Sequence, residues 1–288
     1  MSSVSRRAVA MFTTAALAAI ACRTDPPKAT STATLSAVDQ ARPVLRVCAD
    51  PNNLPFSNDR LEGFENDLAT LVADELGWRL EYTWWPQRRG FTRVTLRAGV
   101  CDVIAGVPEE YELALTTEPY YTSSFVFVTR RDRGWRVSSF DDPRLRQIVI
   151  GIHVVGDDYA NVPPGDALAA RGITGNVRGY SLLGDYAQPS PPARLIEAVA
   201  AGDVDLAIAW GPLAAYFATR VNPPLSVITA EPVRSVPMQF SISMGVRRDA
   251  TELRDRLNGV LERRREAIDA LLDRFSVPRV DRATVARR

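Results

Sequence analysis

The residue types that carry most enzyme chemistry are scarce in this sequence. His153 is the only histidine, so a Ser-His-Asp or Cys-His arrangement has one candidate base and no supporting motif. No zinc-binding spacing, phosphate-binding P-loop or dinucleotide fingerprint occurs. Asp157, Asp158 and Asp185 could offer oxygen ligands to a hard cation, but their spacing matches no known calcium loop. We therefore expect a non-enzymatic protein without a metal or cofactor, in which His153 is structural.

Aromatic and charged residues instead gather in a few short segments. The aromatic ones are Trp84, Trp85, Tyr120, Tyr121 and Trp210, and the charged ones are Arg88, Arg89, Glu109, Glu110 and Asp157. Such a set suits a ligand cleft, or a protein-binding surface, where Trp, Tyr and Arg are enriched. The alternative is that about half of the rings belong to the core and that the two arginines are solvated loop residues.

Length and charge limit the function classes. The chain has 288 residues, of which 46% are hydrophobic, and this is enough for two modest cores. Its formal net charge is +1, so no overall basic field favours nucleic acid or a membrane surface as a partner.

The first 22 residues have the pattern of an export signal. Arg6 and Arg7 precede the uncharged run Ala8–Ala21, which is too short to span a bilayer comfortably. Cys22 follows at once, so lipidation at this cysteine and plain secretion remain alternatives. Residues 23–42 are polar and rich in Pro and Thr, which predicts a disordered tether. We expect a periplasmic protein that contacts the membrane only through such a lipid anchor.

Strand and helix patterns alternate along the rest of the chain, which predicts parallel βαβ units. Predicted strands cover residues 44–49, 78–85, 101–107, 121–129, 148–155, 205–210 and 238–246. Predicted helices cover residues 64–76, 91–98, 166–171, 193–201, 212–219 and 251–275. Arg264 interrupts the last apolar stripe, so one helix and two helices both remain open there.

Two α/β units joined by extended segments near 128–134 and 236–244 predict a bilobal protein with two hinge crossings. The first lobe would comprise residues 43–130 and 240–288, and the second lobe residues 131–239. Ligands of open α/β sheets bind beyond the carboxyl ends of the strands. In two facing lobes, those ends would line the cleft between them.

Several motifs together resemble one protein family. Leu45–Asp50, Gly63–Asp67, Cys101–Gly106 and Glu118–Tyr121 resemble the family-3 solute-binding proteins, which have the type II periplasmic-binding-protein fold. A narrower set resembles the branch associated with quinoprotein dehydrogenases, the J proteins of methanol dehydrogenase operons. Its segments are Cys48–Asn58, Trp84–Phe91, Gly156–Asp158, Gly184–Tyr186, Pro191–Arg194, Trp210–Pro212, Ile242–Arg248 and Val277–Arg279. The resemblance covers roughly residues 44–280 and implies a periplasmic quinoprotein dehydrogenase as partner.

Three positions depart from the amino-acid-binding members of the fold. Those members hold the ligand carboxylate with an Arg, where this sequence has Glu110. They also use a Gly-Thr-Thr helix start, where this sequence has Gly156 followed by Asp157 and Asp158. They receive the ammonium with an Asp at the end of a second-lobe strand, where this chain has Trp210. An α-amino acid ligand is therefore not expected.

The implied fold also bears on Cys48 and Cys101. If their strands are parallel neighbours, a stagger of three residues separates the two by roughly 10 Å, more than the ~7 Å between Cα atoms that a disulfide tolerates. We expect two buried thiols that a reagent labels only after denaturation.

The function hypothesis is an accessory protein that helps a PQQ-dependent methanol or alcohol dehydrogenase mature or become active. The alternative is a receptor of an ABC importer for a small neutral or cationic solute. The residues expected at the ligand or partner cleft are Asp50, Asn53, Phe56, Trp84, Trp85, Arg88, Arg89, Glu109, Glu110, Tyr120, Tyr121, Asp157, Asp158, Tyr186 and Trp210.

Overall fold

The computed structural model describes residues 41–155, 160–182, 186–234 and 236–281, all within one compact unit. Its strands are β1 Val44–Ala49, β2 Asn52–Asn53, β3 Ser57–Asn58, β4 Arg79–Trp84, β5 Val103–Pro108, β6 Leu115–Thr116, β7 Tyr121–Arg130, β8 Ile150–Val155, β9 Ala160–Asn161, β10 Val177–Ser181, β11 Leu206–Trp210, β12 Leu225–Thr229 and β13 Gln239–Val246. Its α-helices are α1 Phe64–Leu76, α2 Phe91–Val94, α3 Pro163–Ala169, α4 Arg194–Ala201, α5 Gly211–Ala218, α6 Thr251–Arg263 and α7 Arg265–Arg274.

One continuous sheet runs through the described chain in the order β10-β8-β11-β7-β13-β5-β1-β4. β1 pairs in parallel with β4 and β5, and β8 pairs in parallel with β10 and β11. These parallel pairs confirm the βαβ units predicted from the alternation of strands and helices. They also confirm that the fold is of the predicted α/β class.

The two groups of strands meet at β7 and β13, which run antiparallel. Tyr121–Ser124 of β7 pairs with β13, whereas Phe125–Arg130 pairs with β11 and β12. The chain therefore passes from one group to the other within β7 and returns just before Gln239. The lobe boundaries expected at 130/131 and 239/240 stay a prediction.

Helix α1 shows why the predicted helices form. Its buried residues Phe64, Leu68, Ala69, Val72 and Ala73 recur at helical spacing and pack into the core beneath β1 and β5. Gly77 ends the helix at φ 69°, a left-handed conformation that glycine adopts without strain. Truncating Phe64, which is fully buried, would cost about 3–5 kcal/mol.

The remaining differences from the sequence prediction are local. The two-residue strands β2, β3, β6 and β9 were not predicted. Two longer strands, β10 and β12, were also missed, because Val177–Ser181 is interrupted by Arg178 and Gly179 and neither strand alternates cleanly. The predicted helix 91–98 shortens to α2, since the chain leaves helical geometry at Thr95. The break at Arg264 produces two helices, α6 and α7.

The expectation of two free thiols was wrong, because Cys48 and Cys101 form a disulfide with their Cα atoms 5.6 Å apart. The expected stagger exists, since Cys48 lies opposite Ile104. However, Cys101 precedes β5 and does not extend it. The Asp102 amide donates to the Arg46 carbonyl at 2.7 Å, and the Asp102 carboxylate receives two bonds from the Arg46 guanidinium. These bonds curl the chain back toward β1.

The disulfide predicts a specific labelling pattern in a Cys22→Ser background. A thiol reagent should find no reactive cysteine in the denatured protein without reductant, and two after reduction. Replacing both Cys48 and Cys101 with Ala should lower the free energy of unfolding by about 3–4 kcal/mol, because the bond closes a long loop. Urea denaturation measures this change, with the Cys22→Ser protein as control. Two reactive thiols before reduction would contradict the bond.

Candidate functional site

A cavity of about 380 Å³ lies between the two groups of strands. Gly106, Val107 and Pro108 reach it from the carboxyl end of β5, and His153 and Val155 reach it from the carboxyl end of β8. This position agrees with the general rule that ligands of α/β folds bind beyond the carboxyl ends of strands. A volume of this size is within the usual range for small-molecule sites.

Aromatic rings form much of the cavity wall. Phe56, Tyr121, Phe125 and Trp210 all line it. Phe125 and Trp210 lie opposite each other on β7 and β11 and pack edge to face, with ring centroids 5.4 Å apart. Trp210 also contacts Phe240 edge to face at 5.9 Å. Such T-shaped packing fixes the rings, so the wall is a formed surface.

Glu65 is the one carboxyl group among the described lining residues of the cavity. Sequence reasoning treated it only as part of a family motif and did not place it in the cleft. It stands in the first turn of α1, and its side chain has no hydrogen bond or ion pair to any described residue. Burial, with a smaller contribution from the charge of Asp50, raises the pKa of Glu65 to about 8. At neutral pH the carboxyl is therefore mostly protonated.

Gly106 makes room for this carboxyl group. A side-chain Cβ at residue 106 would come within 2.2 Å of Glu65 Oε1. Any larger residue at this position would force the end of the Glu65 side chain to move. The signal available in the sequence was the pair formed by Gly106, at the end of a predicted strand, and Glu65, at the start of a predicted helix.

His153 also lines the cavity but behaves as a structural residue, as expected. It is buried, and its Nε2 lies 3.2 Å from the carbonyl oxygen of Pro192, to which it donates as the Nε2–H tautomer. Burial lowers the pKa of His153 to about 4, and the bond to Pro192 opposes this only in part. The imidazole is therefore neutral at physiological pH.

A contact between two loops closes the space beside the cavity. Asp50 Oδ2 accepts from the Tyr186 hydroxyl at 2.6 Å and from the Gln87 amide at 2.6 Å. Asn52 Nδ2 donates to the Gln188 carbonyl at 2.7 Å, and its Oδ1 accepts from the Ser190 amide at 3.0 Å. We call this set of bonds between residues 50–52 and 186–190 the loop contact. It joins segments more than 130 residues apart in sequence.

Two neighbouring side chains tie the loop contact to the cavity. The Arg88 guanidinium lies 5.4 Å from the centroid of the Tyr186 ring, a cation–π arrangement. Asn53 Nδ2 donates to Gln87 Oε1 at 3.0 Å, and both of these residues line the cavity. The Asp50 carboxylate therefore has its hydrogen-bond partner, Tyr186, within the chain itself.

The structure distributes the predicted cleft residues over three places. The cavity wall contains Asn53, Phe56, Tyr121 and Trp210, while the loop contact and its edge contain Asp50, Arg88 and Tyr186. Outside the cavity wall lie Trp84, Trp85, Arg89, Glu109, Glu110 and Tyr120.

Some residues of this last group have clear structural roles. Trp84 stacks on Tyr82 at 4.5 Å against the core. Tyr120 is buried in the same core. Trp85 is 48% exposed. Glu110 is exposed at φ 61°, so the place expected for the carboxylate-binding Arg faces away from the cavity. Asp157, Asp158 and Asp185 lie outside the described residues.

The described ranges contain neither a metal-binding cluster nor a membrane-spanning helix. No group of three or more His, Cys, Asp or Glu side chains there is arranged to hold a metal ion. No helix within those ranges has the length and apolar character needed to cross a membrane.

Comparison with known proteins identifies the family. The model of bacterial extracellular solute-binding proteins, family 3, matches residues 45–276. The chain belongs to this family. It has the type II periplasmic-binding-protein fold of these proteins, and its cavity lies between the two groups of strands.

Individual relatives narrow the resemblance. Protein MoxJ of Methylorubrum extorquens AM1 is 32% identical over 288 residues, covering 92% of this chain and 92% of its own length. Protein MoxJ of Paracoccus denitrificans is 32% identical and covers 81% of this chain and 88% of its own. The crystal structure of the periplasmic binding protein XoxJ from Methylobacterium extorquens AM1 superimposes with a TM-score of 0.70 at 35% identity, covering 82% of this chain and 99% of that one. The chain is thus a MoxJ-like family-3 protein.

The loop contact predicts that the Tyr186 hydroxyl stabilises the fold. Tyr186→Phe should lower the free energy of unfolding by about 1–2 kcal/mol, because it removes a hydrogen bond to a carboxylate. Tyr180→Phe is the matched control, since the Tyr180 hydroxyl has no hydrogen bond to the described residues, and it should change stability by less than about 0.5 kcal/mol. Urea denaturation compares the two. Equal effects of the two substitutions would argue against the contact.

Proposed function

We propose that this chain is a periplasmic, non-enzymatic accessory protein of a PQQ-dependent methanol or alcohol dehydrogenase, and that it aids the maturation or activation of that enzyme. The observation that carries the proposal is the similarity to MoxJ and XoxJ over most of the chain. The branch motifs resemble the J proteins of methanol dehydrogenase operons, and this resemblance implies such a partner.

The chemistry of the cleft supports a role other than amino-acid uptake. None of the described residues lining the cavity is Arg or Lys, so this part of the wall offers no cation to an α-carboxylate. Trp210 stands at the end of β11, where the amino-acid-binding members have their ammonium-binding Asp. Among the described residues of the cavity wall, the charged groups that amino-acid recognition needs are therefore absent.

A surface next to the loop contact suits a protein partner. Trp85 is 48% exposed, and Arg88 and Arg89 follow it within four residues on the exposed side of the chain. The Gln87 amide, bonded to Asp50, holds this segment beside the loop contact. Exposed Trp with Arg is the composition typical of interface hot spots. We propose that residues 85–89 form part of the dehydrogenase-binding surface.

Affinity purification tests the proposal. A tagged chain, isolated from the periplasm of its own organism, should retain a quinoprotein dehydrogenase, and deletion of its gene should lower the activity of that enzyme. Trp85→Ala should reduce the amount retained about tenfold or more, the size of a hot-spot effect. Leu61→Ala, a residue equally exposed at 50%, serves as control. A deletion strain with normal dehydrogenase activity would contradict the proposal.

A further inference from the structure

The cavity contains a carboxyl group that nothing in the described chain uses. Glu65 Oε1 lies over Gly106 and is within reach of the cavity, yet it has no hydrogen bond or ion pair to any described residue. The residue is part-exposed, and a carboxyl that lines a cavity can form a charge-assisted hydrogen bond with a molecule bound there. By contrast, the other polar lining residues are engaged, since His153 bonds to Pro192 and Asn53 bonds to Gln87. A ligand is the partner that the arrangement lacks.

The charges around the cavity select the sign of that ligand. Glu65 and the adjacent Asp50 are acidic, and none of the described lining residues is Arg or Lys. An anionic head would find no Arg or Lys among the described lining residues, and the carboxylates of Asp50 and of ionised Glu65 would repel it. A cationic head would gain a charge-assisted hydrogen bond to Glu65.

The cavity walls favour a ligand whose uncharged part is hydrocarbon. Phe56, Tyr121, Phe125 and Trp210 surround the cavity with aromatic faces, which attract cations and bury hydrocarbon. A sugar would need many polar groups along such a wall, and those available are few and already bonded. An α-amino acid would bring a carboxylate that finds no counter-ion.

We propose that this cavity binds small organic monocations of the alkylammonium class, with the ammonium at Glu65 and the hydrocarbon against the aromatic walls. The site goes beyond the proposed association with a dehydrogenase and does not depend on it. An isolated protein is enough for the test, so the two proposals fail separately.

Binding of this kind is linked to a proton. Without a ligand, burial holds the pKa of Glu65 at about 8, so the group is mostly neutral at pH 7. A bound cation favours the ionised form, and Glu65 then releases its proton. The affinity should therefore rise with pH up to about 8, by nearly tenfold per pH unit. It should level off above that pH.

The other titratable groups near Glu65 do not produce this slope. His153 has its pKa lowered to about 4 by burial. Burial and the charge of Glu65 raise the pKa values of Tyr120 and Tyr121 well above the usual range, and burial is also the main cause of the raised pKa of Tyr82. Asp50 accepts its hydrogen bonds from Tyr186, Gln87 and Asn52. Among the described groups at the cavity with a shifted pKa, Glu65 is the one that titrates near pH 8 and can produce the slope.

Isothermal titration calorimetry with three isosteric probes tests the proposal. Hexylammonium should bind at least tenfold more tightly than hexanol at pH 8, and hexanoate should not bind. Titrations in buffers of different ionisation enthalpy should show release of about one proton per hexylammonium at pH 7. Equal affinity for hexylammonium and hexanol, or no binding of either, would overturn the proposal.

Substitutions separate a site from non-specific uptake of an amphiphile. Glu65→Gln keeps the shape of the side chain and should lower the affinity for hexylammonium at least tenfold while abolishing its pH dependence. Glu266→Gln, on the exposed surface of α7, should change neither. A Glu65→Gln protein that unfolds with the same cooperativity and still binds hexylammonium normally would contradict the role of Glu65. If that variant fails to fold, Gly106→Ala provides the second test. The added methyl group crowds the same carboxyl and should lower the affinity for hexylammonium, whereas an unchanged affinity would contradict the role of Glu65.

Discussion

The antiparallel pairing of β7 with β13 is the constraint on which the rest of the molecule depends. β7 alone belongs to both groups of strands in the described chain, because its first residues pair with β13 and its last with β11 and β12. Tyr121 and Phe125 of β7 and Ile242 of β13 become cavity walls through this pairing. The register of β7 with β11 also sets Phe125 opposite Trp210. The cavity is thus a direct result of strand pairing, and its aromatic wall is as rigid as the sheet.

The cleft combines an inherited position with changed chemistry. The cavity lies between the two groups of strands, beyond the carboxyl ends of β5 and β8, where ligands of α/β folds bind. What differs is the set of charged groups: the described wall contains one carboxyl, that of Glu65, and no Arg or Lys, and Trp210 stands at the end of β11. In addition, the Tyr186 hydroxyl donates a hydrogen bond to the Asp50 carboxylate, so a group of the chain itself binds this acid. These changes act in one direction, away from a zwitterionic ligand and toward a cation or a protein partner.

The fold could be predicted largely from the sequence, and the reasons are visible in single elements. The strand Val44–Ala49 and the helix Phe64–Leu76 have clear apolar periods and a glycine stop, and the structure confirms both. The edge strand Val177–Ser181 lacks such a period because it is largely exposed, so it was missed. The disulfide was missed because the distance between Cys48 and Cys101 was calculated as if Cys101 were part of the strand β5. The chain in fact curls at Asp102, just before that strand begins.

The candidate site was harder to predict, because it depends on contacts between distant segments. Trp210 was expected at the cleft because it stands where the amino-acid-binding members have an Asp, and Tyr121 because it belongs to the set of aromatic residues; both line the cavity. Trp84 belongs to the same set, yet its ring stacks on Tyr82 and packs against the core. Glu65 escaped attention because a first-turn glutamate is ordinarily a solvated residue that favours the helix N-terminus. Only the fold shows that Gly106 faces it and that a cavity lies in front of it.

From the described cavity wall we infer that this cleft does not recognise α-amino acids. Calorimetric titration of the purified protein with each of the twenty amino acids measures this directly. We expect that none binds with a Kd below about 1 mM, a binding free energy weaker than roughly 4 kcal/mol. A micromolar Kd for any of them would contradict it, because the cavity would then hold a carboxylate that the described residues give no means of binding.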